Sequence, residues 1–187
     1  MKIRLASQIQ YDSIVDGEGI RTVIWTQGCP HHCLGCHNPA THDFNGGFLT
    51  DTDNIKKEIS SYKNQDGITL SGGDPFSQPE ACYDIAAHAK SIGLNVWCYT
   101  GYTYEVLLSM AKKDPIYMDL LKQIDVLVDG PFILNLRNLS LKFRGSTNQR
   151  IIDVQESINQ SKVVLVSKYY QVDIGLDLYI KPVCMFI

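Results

Sequence analysis

Residues 67–99 read GITLSGGDPFSQPEACYDIAAHAKSIGLNVWCY and predict a complete strand–helix–strand unit. The apolar runs GITLS and LNVWCY have the composition of buried strands. Between them, Pro79 suits the first turn of a helix and Gly93 suits its end, while Ser77 and Glu80 have the spacing of a capping box. Two strands connected through a helix normally lie parallel in one sheet, so this stretch indicates an α/β fold.

The same alternation of strands and helices extends over most of the chain, without internal repeats or a linker-like change of composition. Further elements are expected as strands at 3–9, 22–27, 124–129 and 162–166, and as helices from about Asp51 and over 103–123 with a break at Asp114-Pro115. A closed eight-fold barrel usually needs about 250 residues. The 187 residues therefore predict a partial, open (β/α) barrel of about six mainly parallel strands in a single domain, with 170–187 as a candidate C-terminal extension.

Composition limits the classes of function. The net charge of -3 and the pI near 5.9 argue against a broad nucleic-acid-binding face, which is normally basic. No signal peptide and no run of eighteen apolar residues is visible, so we expect a soluble, cytoplasmic protein without membrane contact. In a reducing compartment the six cysteines are ligands or buried thiols rather than disulfides. Cys82, Cys98 and Cys184 are scattered, and we interpret them as non-catalytic thiols.

The unusual residues follow the predicted strands. A cysteine cluster comes after the second strand, GGDP after the third, YTGY after the fourth and DGP after the fifth. Because loops at the carboxyl ends of parallel strands meet on one face, these four segments are expected to surround one pocket.

Residues 28–39, GCPHHCLGCHNP, contain three cysteines at C-x3-C-x2-C spacing. Thiolates suit soft metals and iron-sulfur clusters, and three of them would hold a 4Fe-4S cluster with its fourth iron open to another ligand. A zinc site completed by His31, His32 or His37 is the alternative, since thiolate and imidazole together form common zinc sites. Spacing alone leaves both hypotheses open.

Cys29, Cys33 and Cys36, followed by SGGDP (71–75), resemble the radical S-adenosylmethionine (SAM) superfamily. The ordered segments DGEGIRTVIWTQGCPHHCLGCHNPATHDFNGG, LSGGDPF, CYTGYTYE, VLVDGPF and LKFRGSTNQRIIDV resemble more closely the activating proteins of anaerobic (class III) ribonucleotide reductase. These segments span residues 16–154 and so cover most of the chain.

The resemblance implies an oxidoreductase that generates a glycyl radical. A reduced 4Fe-4S cluster, bound by the three cysteines, would cleave SAM to methionine and a 5′-deoxyadenosyl radical, which would take a hydrogen atom from a glycine of the reductase large subunit. A flavodoxin-like or other low-potential reductant would supply the electron. We expect no catalytic residue beyond the cluster and SAM, because the cofactor carries the chemistry.

The resemblance also implies the residues that bind SAM, and their expected contacts are as follows: Gly72 and Gly73 by close backbone approach, Asp74 by its carboxylate on the ammonium group, His37 by its backbone near the adenine, and Tyr99 and Thr100 at the ribose or backbone. Two positions depart from the superfamily pattern. Gly35 stands where an aromatic residue is frequent, and Asp74 stands where Glu is frequent.

Several alternatives stay open at this point. Tyr99, Thr100 and Asp129 could be ordinary strand-end or turn residues, and the basic segment from Arg137 to Arg150 could bind SAM, dock the partner or be a solvated loop. His31 and His32 are expected to be replaceable without loss of the cluster. The alternative functions are activation of another glycyl-radical enzyme, radical SAM chemistry on a nucleotide precursor and, more remotely, a zinc-binding interaction module.

Overall fold

A mixed eight-stranded sheet runs through residues 1–170, the part of the chain that this computed structural model describes. The strands are β1 (Lys2–Leu5), β2 (Gln10–Ser13), β3 (Arg21–Thr26), β4 (Phe48–Asp51), β5 (Gly67–Gly72), β6 (Asn95–Tyr99), β7 (Val126–Asp129) and β8 (Arg150–Asp153). The helices are α1 (Thr52–Ser61), α2 (Pro79–Ser91), α3 (Tyr104–Ala111), α4 (Ile116–Gln123) and α5 (Val154–Gln160). Short 3-10 helices occupy Pro39–Thr41, Pro75–Ser77, Leu134–Leu136 and Ser167–Tyr169.

The strand order is β4-β1-β3-β5-β6-β7-β8, with β2 paired to β3. The central strands β3, β5, β6 and β7 are mutually parallel, whereas every pairing outside them is antiparallel. Helices connect the successive parallel strands, as such connections require. The carboxyl ends of these four strands consequently lie along the same edge of the sheet.

Side chains on β6 alternate between two apolar clusters. Val96 and Cys98 are fully buried in the large core that the sheet forms with the helices. Trp97 belongs to a smaller cluster on the opposite face, where Tyr99 packs against it. This period of two is the geometry of a strand with both faces covered. It explains why the four consecutive residues VWCY (96–99) are all apolar or aromatic.

The α/β prediction is confirmed, but the details of the sheet differ. There are eight strands in the described residues rather than about six, and parallel pairing is confined to the central four. The sheet is not closed, which agrees with the open arrangement that was predicted, whereas a barrel is not confirmed. The predicted strand 162–166 forms only one isolated bridge, between Ile152 and Leu165. Strands β2, β4 and β8 were not predicted, because each has only four residues and includes polar positions.

The helix boundaries are largely those predicted. Pro79 begins α2, and Gly93, whose φ is +85°, follows its end in a left-handed conformation that glycine adopts without strain. The capping box is wrong, since Ser77 ends a 3-10 helix and Gln78 occupies the cap position without a side-chain bond. Within residues 1–170, none of the helices has the length and apolar character needed to cross a membrane. The candidate C-terminal extension, apart from Tyr170, lies outside the described residues, as does Cys184.

Candidate functional site

A cavity of about 160 Å³ opens at the carboxyl ends of β3, β5 and β6. Its wall contains all three clustered cysteines and all but one of the predicted SAM-binding residues. The lining residues are Cys29, His31, Cys33, Cys36, His37, Asn38, His42, Ser71, Gly72, Gly73, Tyr99, Thr100, Gly101, Gly130, Phe132 and Gln149. The expectation that four strand-end segments surround one pocket is confirmed by this wall, which draws on the segments after β3, β5, β6 and β7.

The cysteine loop is fixed at its beginning by backbone hydrogen bonds. The amides of Gly28 and Cys29 donate to the carbonyl oxygens of Thr41 and His42, at 2.8 and 3.2 Å. Cys29 is buried, while Cys33 and Cys36 are half-buried. Burial raises the pKa of the Cys29 thiol to about 11, so metal binding at neutral pH would have to displace its proton.

The Gly-Gly turn packs directly against this loop. The Gly73 amide donates to the Thr26 carbonyl at 2.7 Å, and a Cβ on Gly73 would lie 2.4 Å from the carbonyl oxygen of Gly28. Gly72 has a φ of +100°, which a side chain would strain. The two glycines were expected to admit a ligand to the backbone. They border the cavity, and they also let β5 approach the cysteine loop closely.

Asp74 differs from its expected geometry. Its side chain has no exposed surface, and it does not border the cavity. Its carboxylate accepts hydrogen bonds from the amides of Phe76 and Gly101, each at 3.0 Å, and from the Thr100 hydroxyl at 2.9 Å. The ring nitrogen Nε2 of His31 lies 2.7 Å from Oδ2. These four partners surround the carboxylate, so it presents no surface to the cavity, and its contact with the SAM ammonium group stays a prediction.

The remaining predicted SAM-binding residues lie where the cavity meets a second one of about 310 Å³. His37 and Tyr99 border both cavities, and Thr100 borders the first. The exposed His37 ring packs 5.0 Å from the ring of Phe132. Burial raises the pKa of the Tyr99 phenol, which is therefore neutral at physiological pH. Small-molecule sites usually measure roughly 300 to 1,000 Å³. Of these two adjoining cavities, the second reaches that range and the first does not.

The backbone conformation at position 35 explains why glycine stands there instead of an aromatic residue. Its φ is +74°, in the left-handed region that glycine adopts without strain, and a Cβ there would come within 3.0 Å of Leu134. The loop between Cys33 and Cys36 therefore turns at this residue. An aromatic residue at this position would be strained in the present backbone.

The remaining candidates, Asp129 and the basic segment from Arg137 to Arg150, have different environments. Asp129 is buried but does not border the cavity, because its carboxylate pairs with the guanidinium of Arg150 and accepts from the Tyr104 amide at 2.8 Å. Arg150 also binds Glu105. Arg137 and Arg144 instead line the second cavity. The basic segment thus contributes one structural cation and two cations at the cavity.

The neighbouring histidines His31 and His32 have different environments. The side chain of His31 is 16% exposed and packs edge-on against Tyr102, with ring centroids 4.4 Å apart. His32 is exposed and contacts only the ring of His42, among aromatic partners in the described residues. Over residues 1–170, no three His, Cys, Asp or Glu side chains are close enough together to hold a single metal ion.

Sequence reasoning missed several residues of the wall. Gly101, Phe132 and Asn38 belong to the quoted segments YTGY, VLVDGPF and GCPHHCLGCHNP, so their position after a strand was a usable signal. His42 and Gln149 gave no such signal, because only the fold brings them to the cavity. A larger groove of about 440 Å³ lies near α3, α4 and α5, but the described residues that line it include no cysteine or histidine.

Comparison with known proteins agrees with this geometry. Residues 15–152 match the family model described as a 4Fe-4S single cluster domain. An anaerobic ribonucleoside-triphosphate reductase-activating protein from Salmonella typhi is 37% identical over 145 residues, which cover 73% of this chain and 90% of the relative. The proteins of the same name from Escherichia coli K12 and Enterobacteria phage T4 are each 35% identical, over 73% and 76% of this chain and 90% and 93% of their own lengths. The chain belongs to the family of anaerobic ribonucleoside-triphosphate reductase-activating proteins.

Proposed function

We propose that this protein is a radical SAM enzyme that places a glycyl radical on an anaerobic ribonucleotide reductase. The observation that carries the proposal is the convergence of three clustered thiols, the Gly-Gly turn and the ends of four parallel strands on one cavity. Membership of the activating-protein family supports the same conclusion. The sheet, with helices on one face and an open edge, is consistent with a partial, open barrel around this site.

The residues at the cavity fit the proposed cofactors. Three cysteine sulfurs on one loop are suitable ligands for an iron-sulfur cluster, which thiolates bind in preference to harder ligands. Gly72 and Gly73 border the same cavity, on the wall where SAM would lie. When bound, the cluster and SAM supply one-electron cleavage of the sulfonium and removal of a hydrogen atom from glycine, with a flavodoxin-like or other low-potential protein as reductant.

The protein's own residues have positioning tasks in this proposal. Cys29, Cys33 and Cys36 bind the cluster, while the backbone at Gly72 and Gly73 orients SAM. His37, Tyr99 and Thr100 border the space available to its adenosyl group. In place of the ammonium contact expected for Asp74, we assign to its buried carboxylate the task of holding the surrounding loops together.

The rim of the cavities is suited to a protein partner. Val15, Leu34 and Leu139 are each at least 70% exposed, and exposed apolar groups around a cavity are typical of interaction sites. Val15 and Leu139 line the second cavity together with Arg137. Residues 130–150 contain no acidic residue. The reductase would therefore dock over this rim, with acidic groups facing the basic segment.

Anaerobic reconstitution with iron and sulfide tests the central proposal. The protein should become brown, cleave SAM to 5′-deoxyadenosine after reduction, and produce a glycyl signal in electron spin resonance when mixed with the reductase. A colourless zinc protein inert toward SAM contradicts the proposal. SAM cleavage without a glycyl signal would instead favour a different partner or substrate.

Charge reversal tests the docking surface. The variant Lys142→Glu, at an exposed position of the basic segment that lines neither cavity, should slow glycyl-radical formation about threefold or more. Opposing charges steer protein association, and SAM cleavage without the reductase should be unchanged. Lys57→Glu, on the exposed face of α1, is the matched control. Equal effects of the two changes would place the reductase elsewhere.

A further inference from the structure

His31 connects the cysteine loop to the ends of two neighbouring strands. It lies between Cys29 and Cys33, yet its imidazole reaches Asp74, which follows β5 and is 43 residues away in sequence. The ring also packs against Tyr102, after β6. A side chain of the metal-binding loop thus inserts between the GGDP and YTGY segments.

The chemistry of Asp74 determines the direction of this hydrogen bond. The Phe76 and Gly101 amides can only donate to the carboxylate. The Thr100 hydroxyl accepts from the Tyr102 amide and therefore has its proton available for Asp74. Since an ionised carboxylate only accepts, Nε2 of His31 must carry the proton and donate it to Oδ2.

Two further contacts make the position of His31 specific. The backbone N–H of His31 acts on the sulfur of Cys29 and lowers the pKa of that thiol, against the larger opposing effect of burial. The imidazole also occupies the space that a side chain at Gly101 would need, because a Cβ there would lie 2.3 Å from Cδ2 of the ring. The histidine therefore packs closely against the loop after β6, while its backbone contacts a cluster ligand.

We propose that His31 is a positioning residue for the iron-sulfur cluster. Its imidazole bond to Asp74 holds the cysteine loop against β5 and β6 and keeps the His31 amide close to the Cys29 sulfur. Hydrogen bonds to the ligand sulfurs raise the reduction potential of a cluster. His31 would thus set both how tightly the cluster is held and the potential at which it accepts an electron. The inference rests on the proposed function only in that a cluster is bound.

Four variants of the full-length, reconstituted protein test this inference. His31→Ala removes the donor, whereas His31→Gln keeps an N–H at nearly the position of Nε2. His32→Asn is the matched control, because His32 is exposed and has a φ of +46° that Asn tolerates. Gly101→Ala places a methyl group against the imidazole and should displace it.

The readouts are iron retained during dialysis against a chelator and the midpoint potential of the cluster. His31→Ala should weaken retention about 10- to 100-fold, the usual effect of losing a group that orients a metal ligand, and should shift the potential to more negative values. His31→Gln should restore most of both properties, and His32→Asn should match the wild type. Gly101→Ala should resemble His31→Ala in both readouts. The double variant His31→Ala/Gly101→Ala should be no worse than either single variant, because both changes disrupt the same contact.

Unchanged retention and potential in His31→Ala would overturn the inference, as would a His31→Gln protein as impaired as His31→Ala. Additive losses in the double variant would also contradict it. These outcomes are distinct from failure of the proposed function, because in that case the wild type itself would bind no cluster.

Discussion

Two buried aspartates lie at the ends of neighbouring regions of the sheet and have different partners. Asp74 follows β5 and Asp129 ends β7, and both carboxylates are 0 to 1% exposed. Asp74 is bound by neutral donors and by His31, a residue of the cysteine loop. Asp129 is bound by the guanidinium of Arg150 and by the first amide of α3. The same residue type at corresponding places therefore connects the cysteine loop in one case and the scaffold in the other.

The comparison teaches that burial alone does not identify a functional acid. Asp129 has the cationic partner that is often taken as a sign of function, yet its bonds join β7 to β8 and α3. Within residues 1–170 Asp74 has no arginine or lysine among its partners, yet three of these partners, His31, Thr100 and Gly101, border the cavity. The identity of the segments that a buried carboxylate connects is the more informative observation.

The largest effect should follow loss of a cluster ligand. Replacement of Cys29, Cys33 or Cys36 by Ser should abolish iron binding and SAM cleavage, because thiolate ligands hold such clusters. Iron and sulfide analysis of the reconstituted variants measures the effect. Cys82→Ala is the control, since this buried thiol packs in the apolar core. It should lose stability while keeping its iron, and a loss of iron equal to that of Cys29→Ser would count against the assigned ligands.

Matched Asp→Asn changes test the comparison directly. Each should lower the free energy of unfolding by about 2 to 3 kcal/mol, because buried donors or a partly buried cation lose their acceptor. Only Asp74→Asn should also weaken iron retention, by about tenfold or more. Denaturant unfolding and iron per folded chain separate the two effects. Equal iron retention in Asp74→Asn and Asp129→Asn would remove the distinction between the two regions.

Two threonines, three residues apart, allow a finer test. Thr100→Val removes a donor to Asp74 and an acceptor for the Tyr102 amide, at a cost of about 1 to 3 kcal/mol. Thr103→Val removes the side chain that caps α3 by accepting from Val106, at a cost of about 1 kcal/mol. Thermal unfolding measures both. Only Thr100→Val should alter iron retention, so an effect at Thr103 would show that retention merely follows stability.

Much of the fold was predictable because its central strands are buried on both faces. Short, mostly apolar runs such as those of β5 and β6 can be recognised without tertiary information. Strands β2 and β4 could not be recognised, since they are short, contain polar residues and exist through antiparallel pairing with β3 and β1. β8 contains only the apolar pair Ile151-Ile152, and its pairing partner β7 lies more than twenty residues away.

The site was predictable to a similar extent. The spacing of the cysteines and the position of GGDP after a strand are local features, and both lead to the cavity. The bond between His31 and Asp74 is not local, because the fold alone brings these two residues together. The superfamily pattern predicted that the Asp74 carboxylate contacts the cofactor, whereas in the structure this carboxylate points into the protein and is fully buried. Hydrogen-bond partners of buried polar groups are the part of a site that sequence patterns describe least.

The smallest effect should come from Glu105, which binds a different edge of the Arg150 guanidinium from the one that Asp129 binds. The hydrogen bond from Arg150 is the main cause that lowers the pKa of Glu105 from 4.5 to about 2. Because the folded-state pKa lies below the unfolded one, the interaction stabilises the fold fully above pH 4.5 and is lost as the pH falls toward 2. The Glu105 side chain is 57% exposed, so solvent screening limits its contribution to less than about 1 kcal/mol.

Glu105→Gln should therefore lower the free energy of unfolding slightly at pH 7 and flatten its decline between pH 4.5 and 2. Denaturant titrations across this range measure both, and repetition in 1 M salt should shrink the difference from wild type because an exposed ion pair is screened. Iron retention should be unaffected, as for the rest of the Asp129 region. If the acid decline of the variant instead parallels that of the wild type, Arg150 gains its stabilisation from Asp129 alone, and the scaffold network ends at that buried carboxylate.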